Sequence, residues 1–412
     1  MITSALVLAL YATAATTAAS SPDASVGRDE ATKAEPGKLP EAVQKAFQRE
    51  LAPLPKVRFE IPRAEGAFEI EAEAKGKISV TQNEETDSFA VPLGTELDIQ
   101  CFFSRTRVGA QPFASMLERM KEAVEVLSVR PVEVSAPGGS AALFVDVVYL
   151  VDRQGQKNVG FLKQATVAYS GYSLTCLHDE PGYDETFRRV VKGIGASLAA
   201  AIPEGEKVRY AEVLAVKVQG MAVGFATNTI ARGKRGASIA ESSSRMVIPR
   251  SPSEIVALDK ASSQTTDVAG RLISGRYRDA TANELETDLA LRRGKDGKTY
   301  RYRGTMKGKH LKGKFATRNG LAGDSLIARR IPGLLAGSSQ EERFQEYSPS
   351  ANPRGPVESV YRKDQGNRRI SVDMGGVKLR EAVDANYWPS LIEMPIGTAT
   401  VTYERIWSRG AP

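Results

Sequence analysis

Residues 209–230 read RYAEVLAVKVQGMAVGFATNTI. Two apolar, β-branched runs meet at Gln219-Gly220, and no helical spacing of apolar residues passes through them. The pattern predicts strands. It continues downstream in ASIAESSSRMVI, GRLISGRYRDA, ETDLALRR, KTYRYRGTM, LKGKFATR, VESVYRKD, ISVDMGGVKL, LIEMPIG and TATVTYERIW. Gly-rich or charged turns such as RGKRG and GKDGK separate these runs. Many strands at close spacing predict a β-rich domain over 204–412, built as a large curved sheet or half-barrel.

Upstream, 57–203 is mixed. Strand-like runs occur at VRFEI, GAFEIEAEA, KISVTQ and ELDIQCFF. In QPFASMLERMKEAVEVL, Phe113, Met116, Leu117, Met120 and Val124 fall on one helical face, and Pro112 opens the helix. Further strands follow in SVRPVEVSAP, AALFVDVVYLVD and KNVGFLKQATVAY. Ser170-Gly171 then suits a two-residue hairpin turn into YSLTCLH. In YDETFRRVVKGIGASL, Phe187, Val190, Val191, Ile194 and Leu198 repeat the helical spacing, and Asp184 is placed as the cap. The expectation is an α+β unit, an antiparallel sheet with two helices in an α/β/α sandwich. The segment AAAIPEGEK is the expected boundary. Net charge is −5 over 57–203 and +12 over 204–412, which argues for separate modules.

The helix QPFASMLERMKEAV, the strands AALFVDVVYLVDRQGQKNVGFLKQATVAY and the closing YSLTCLHDEPGYDETFRRVVKGIGASL resemble, in their order, the PsbP/Mog1-like superfamily. That resemblance covers about 57–200 and implies a non-catalytic binding or assembly module. The opening and closing runs of the second half, YAEVLAVKVQGMAVGFATNTI and VKLREAVDANYWPSLIEMPIGTATVTYERIW, resemble exported LolA-like and DUF3108-like curved β-sheets. No catalytic residue carries over from either resemblance.

The N-terminus, MITSALVLALYATAATTAASSPDAS, has an apolar run followed by small residues and Ala-x-Ala patterns. Residues 1–20 read as a secretory signal, although no basic residue precedes the apolar run. The run is too short to anchor in a bilayer, and no other segment predicts a transmembrane span. Residues 21–56 read as a disordered tether with one short helix in PEAVQKAFQREL. The expected location is periplasmic or extracellular.

Four reactive side chains crowd together at Cys176, His178, Asp179 and Glu180. On a strand, Cys176 and His178 share a face, Asp179 points away and Glu180 enters a turn. A Cys-x-His pair offers two ligands where zinc needs three or four, so no metal is expected. In an oxidising compartment the two cysteines, Cys101 and Cys176, are candidates for a disulfide, with two buried thiols as the alternative. The role of His178 is open.

The second candidate is KTYRYRGTMKGKHLKGKFATR, residues 298–318. Alternation puts Tyr300, Tyr302 and Met306 on one side and Arg301, Arg303, Lys307 and Lys309 on the other. The basic side suits either a solvated sheet face or a site for an anionic lipid, an acidic glycan or an envelope protein. Tyr beside Arg also suits single-stranded nucleic acid, which export makes a poor partner. The chain carries no P-loop, Rossmann fingerprint, HExxH or G-x-S-x-G, and two histidines leave little general-base chemistry. No cofactor is expected. The reading is a non-enzymatic exported binding or assembly module, taking an apolar or anionic ligand. The alternative is an envelope hydrolase acting on glycan or peptide through carboxylates or Cys176.

Overall fold

A computed structural model describes residues 45–411, apart from 64–65, 84–85, 95–96, 105–111, 154–155, 203–207, 282–283 and 365–367. The expected signal segment, residues 21–44 of the expected tether and the start of the 40–51 helix lie outside the described residues. So does the expected boundary after residue 203.

The first unit is a sheet of seven antiparallel strands in the order β3-β4-β5-β9-β8-β7-β6. These are β3 (Val80–Gln82), β4 (Thr86–Gly94), β5 (Leu97–Ser104), β6 (Glu125–Ser135), β7 (Ala141–Arg153), β8 (Gln156–Tyr169) and β9 (Tyr172–His178). The β8–β9 link is a two-residue turn at Ser170-Gly171, both with positive φ, as twisted hairpins favour. A separate hairpin, β1 (Lys56–Arg63) with β2 (Gly66–Glu73), and the helix α2 (Asp184–Ala201) cover one face of the sheet. The apolar stripe of α2, from Phe187 to Leu198, packs on Cys101, Phe144, Val167 and Cys176.

The other face overturns the expected α+β sandwich. Among the described residues one short helix borders it, and no helical layer covers it. Val129, Leu143, Val145 and Val147 pack instead on Val213, Phe225 and Val247, which belong to strands of the second half. The helix α1 (Pro112–Ala123) sits at this join against β6 and the strand Glu254–Thr266. An apolar sheet face needs a cover, and here a second sheet supplies it. The molecule is β-dominated, with sheets of 2, 7 and 14 strands.

The large sheet runs β10 (Val208–Val218), β11 (Met221–Arg232), β12 (Ser238–Ser251), β13 (Glu254–Thr266), β14 (Leu272–Thr281), β15 (Glu284–Arg293), β16 (Thr299–Met306) and β17 (Lys309–Ala316). After α3 (Asp324–Ala336) come β18 (Glu341–Glu346), β19 (Val357–Lys363), β20 (Arg369–Met374), β21 (Val377–Val383), β22 (Pro389–Ile396) and β23 (Ala399–Gly410). Every neighbouring pair is antiparallel, and β23 returns beside β10, which leaves β17 and β18 as the edges.

Curvature brings those edges together. Tyr347, just past β18, lies on Tyr277 of β14 and Phe315 of β17. The Ala322 amide donates to the Gln345 carbonyl at 2.7 Å. Inside the curl lies α3. Its Ile327, Ile331 and Leu334 are fully buried between Leu258 on one side and Tyr361 and Ile370 on the other. Each such side chain contributes about 2 kcal/mol over leaving it exposed. The two units meet closely: at Gly139, φ +97°, an added Cβ would stand 2.6 Å from the Trp407 ring.

Candidate functional site

Cys176 is not a nucleophile. It stands directly opposite Cys101 on β5 and β9, and the two form a disulfide, fully buried. The thiol version of a hydrolase is thereby removed. His178 shares the Cys176 face. Its ring stacks on Phe187 and meets Tyr183 edge-on, and Nδ1 lies 2.8 Å from the Asp98 carbonyl, to which it donates in the matching tautomer. Burial pushes its pKa down against that hydrogen bond. His178 is a neutral core group that ties β9 to the Asp98 end of β5.

The rest of this stretch builds the entry to α2. Lys163, almost fully buried, donates to the Glu180 carbonyl at 2.6 Å and lies 3.6 Å from Asp184. Asp184 does not cap the helix. Glu50 does, from far upstream: its carboxylate accepts the Glu185 amide at 2.9 Å, the Thr186 amide at 2.8 Å and the Thr186 hydroxyl at 2.6 Å. Burial pushes Glu50 up, but these donors together hold it below its ordinary value.

The basic stretch lands on β16 and β17. As alternation predicts, Tyr300 and Tyr302 point into the core, where both stack with Phe315. Tyr300 Oη donates to the Leu272 carbonyl and accepts the Leu321 amide. These rings are structural, which leaves none for stacking bases. Arg301 and Arg303 point outward. Lys307 and Gly308 form the tight turn, both with positive φ, so Lys309 pairs with Met306. Lys309 therefore has the parity of the tyrosines, opposite to Arg301 and Arg303. Both lysines are exposed at the hairpin's end.

Register reveals partners that the linear sequence hides. Arg292, Arg301 and Lys314 stand directly opposite one another across β15, β16 and β17. One step along, the outward row is Arg276, Ala290, Arg303 and Lys312 across β14 to β17. The next row holds Arg278 and Asp288. Asp288 takes bonds from Arg276 at 3.0 Å and Arg278 at 3.3 Å, and the Arg276 bond holds it below the usual carboxylate range. Among the described residues, Arg292, Arg301, Arg303, Lys312 and Lys314 form no ion pair. Like charges directly opposite on a sheet repel, so this arrangement costs stability unless an anion meets it.

The inner wall is polar in places. Ser244, Lys260 and Asp279 form one cross-strand row, and Ser242, Ser262 and Tyr277 the next. They line a small cavity with Pro349 and Ser350. Burial pushes Lys260 down to about 8, with Asp279 and Glu286 opposing. Asp324, at the start of α3, is pushed up to about 7 by burial, with Glu346 and Glu381 adding to the rise. Among the described residues, no group of three His, Cys, Asp or Glu is arranged to hold a metal ion. No helix among them is long and apolar enough to cross a membrane.

No protein-family model matches the chain, and no curated protein matches it. Among solved structures it is similar to a β-barrel-like protein of the domain of unknown function DUF1849 from Brucella abortus. That match has 10% identity and a TM-score of 0.39, and it covers 49% of this chain and 97% of the other. It is also similar to a putative regulator of unknown function from Pseudomonas aeruginosa, with 17% identity, a TM-score of 0.18, and coverage of 36% of this chain and 98% of that one. The β-rich architecture rests on the sheets themselves, and no PsbP/Mog1-like, LolA-like or DUF3108-like family match accompanies it.

Proposed function

We propose that this chain is an exported, non-enzymatic binding module of the cell envelope, and that it holds an anionic partner on the outer face of β14–β17. The observation that carries the reading is the in-register column Arg292–Arg301–Lys314 with Arg303 and Lys312 beside it. Five cations crowd a patch in whose rows the one acid among the described residues, Asp288, is already shared by two other arginines. The interior supports the anionic rather than the apolar version of the reading, because α3 occupies the space inside the curved sheet. Export is supported by the buried disulfide and by the apolar segment ahead of the first unit.

The test is retention of the full chain on an immobilised polyanion, followed by salt elution. Wild type is expected to bind and to release steeply with salt, since counterions compete for exposed charges. The double variant Arg301→Glu/Arg303→Glu is expected to elute at much lower salt. Equal elution of the two proteins would overturn the reading. The variant Lys307→Glu/Lys309→Glu, at the turn, is expected to have the smaller effect.

A further inference from the structure

The shape of the cation array narrows the partner. A polymer that follows one line would be met by a line of charges along a groove. Here the cations spread in two dimensions over four neighbouring strands. Strands stand about 4.8 Å apart and alternate residues about 6.7 Å apart, so the array is a small lattice on a pleated surface. Among the described residues the one ring on its outward positions is His310, in the row beside Arg303 and Lys312, and a single imidazole makes no stacking platform for successive bases or sugar rings. At one end of the lattice stands one exposed aliphatic side chain, between Glu284 and Glu286 in the strand. Leu285, at the start of β15, is 54% exposed. The Lys307 amide donates to the carbonyl of its neighbour Glu286, so the basic hairpin turn lies beside this leucine. A basic turn beside an exposed aliphatic residue, next to a wider cationic face, is an arrangement that interfacial proteins present to a bilayer.

Building on the anion-binding reading, we propose that the β14–β17 face docks on an anionic lipid surface. The two cation rows meet phosphate headgroups, and Leu285 enters the interface beside Lys307 of the hairpin turn. The experiment is co-sedimentation of the full chain with vesicles rich in phosphatidylglycerol, against vesicles of phosphatidylcholine alone, with soluble polyphosphate assayed in parallel. Binding is expected to the first vesicles only, weakening with salt. Each basic residue near such a surface is worth roughly fivefold in partitioning, so the triple variant R301E/R303E/K314E is expected to lose at least about a hundredfold. Leu285→Ser is expected to weaken vesicle binding severalfold and leave polyphosphate binding unchanged. A protein that binds polyphosphate but not the vesicles overturns the membrane proposal and leaves the anionic reading intact. A protein that binds neither overturns both. Equal vesicle binding by the triple variant, with its thermal unfolding intact, places the membrane contact elsewhere and also overturns the proposal.

Discussion

His178 owes its character to what covers it. The sequence places it on the Cys176 face by alternation alone. It does not say that Phe187 of α2 lies over the ring, or that the Asp98 carbonyl fixes Nδ1. Those facts need the helix docked and β5 paired with β9. Because burial lowers the imidazole pKa, the folded chain binds fewer protons than the unfolded chain once the pH drops below about 6.5. The stability His178 supports is present above that value. It falls as pH drops through the unfolded pKa and levels off below the folded one. In thermal melts from pH 8 to 5, wild type is expected to exceed His178→Gln at pH 8 and to lose that margin towards pH 5. A constant margin would show that the ring is not linked to pH. The disulfide beside it was legible as a candidate from compartment and strand character, but its register was not. The bridge closes a separation of 75 residues, worth about 4 kcal/mol on the chain-entropy model. Replacing both cysteines by alanine is expected to lower the urea-unfolding free energy by about that amount.

At the scale of elements, helix α2 was readable and its cap was not. The acids at its start drew attention to Asp184, whereas the caps of a helix are set by whichever oxygen reaches the free amides. Glu50 reaches three donors from more than a hundred residues away. Glu50→Ala is expected to cost about 1 kcal/mol at pH 7. The Glu50 pKa is lowered in the fold, so its contribution is present above the unfolded value and is lost as pH falls through the folded one. Chemical unfolding at pH 7 and at pH 3 is therefore expected to show a smaller gap between wild type and Glu50→Ala at the lower pH. Helix α3 escaped the reading altogether. Ile327, Ile331 and Leu334 carry the right spacing, but Pro332 and the flanking glycines are local signals against a helix. Burial inside the curved sheet overrides that local preference.

At the scale of the molecule, strand character was visible along the second half, while the order of strands was not. β23 beside β10 joins residues almost two hundred apart, and no local pattern announces it. The first unit was misread for a related reason. Val129, Leu143 and Val145 look alike whether a helix or another sheet covers them. The proposed binding face has the same history: Arg301 and Arg303 were legible on β16, and Arg292 and Lys314 became their neighbours only through pairing. That pairing separates two purposes for the charges. If they serve only to keep the β17 edge soluble, any well-solvated residue at 301 would do, and anion binding would not depend on it. If they are held for a partner, the fold tolerates repulsion that a single reversal relieves. Arg301→Glu puts a carboxylate between Arg292 and Lys314 and creates two opposite-charge cross-strand pairs. Stability is expected to rise by about 0.5–1 kcal/mol at low salt and by less at high salt, while binding to polyanion falls. Thermal melts and salt elution on one preparation give both quantities. A variant that gains stability yet elutes at the wild-type salt concentration would assign these cations to solubility and remove them from the binding face.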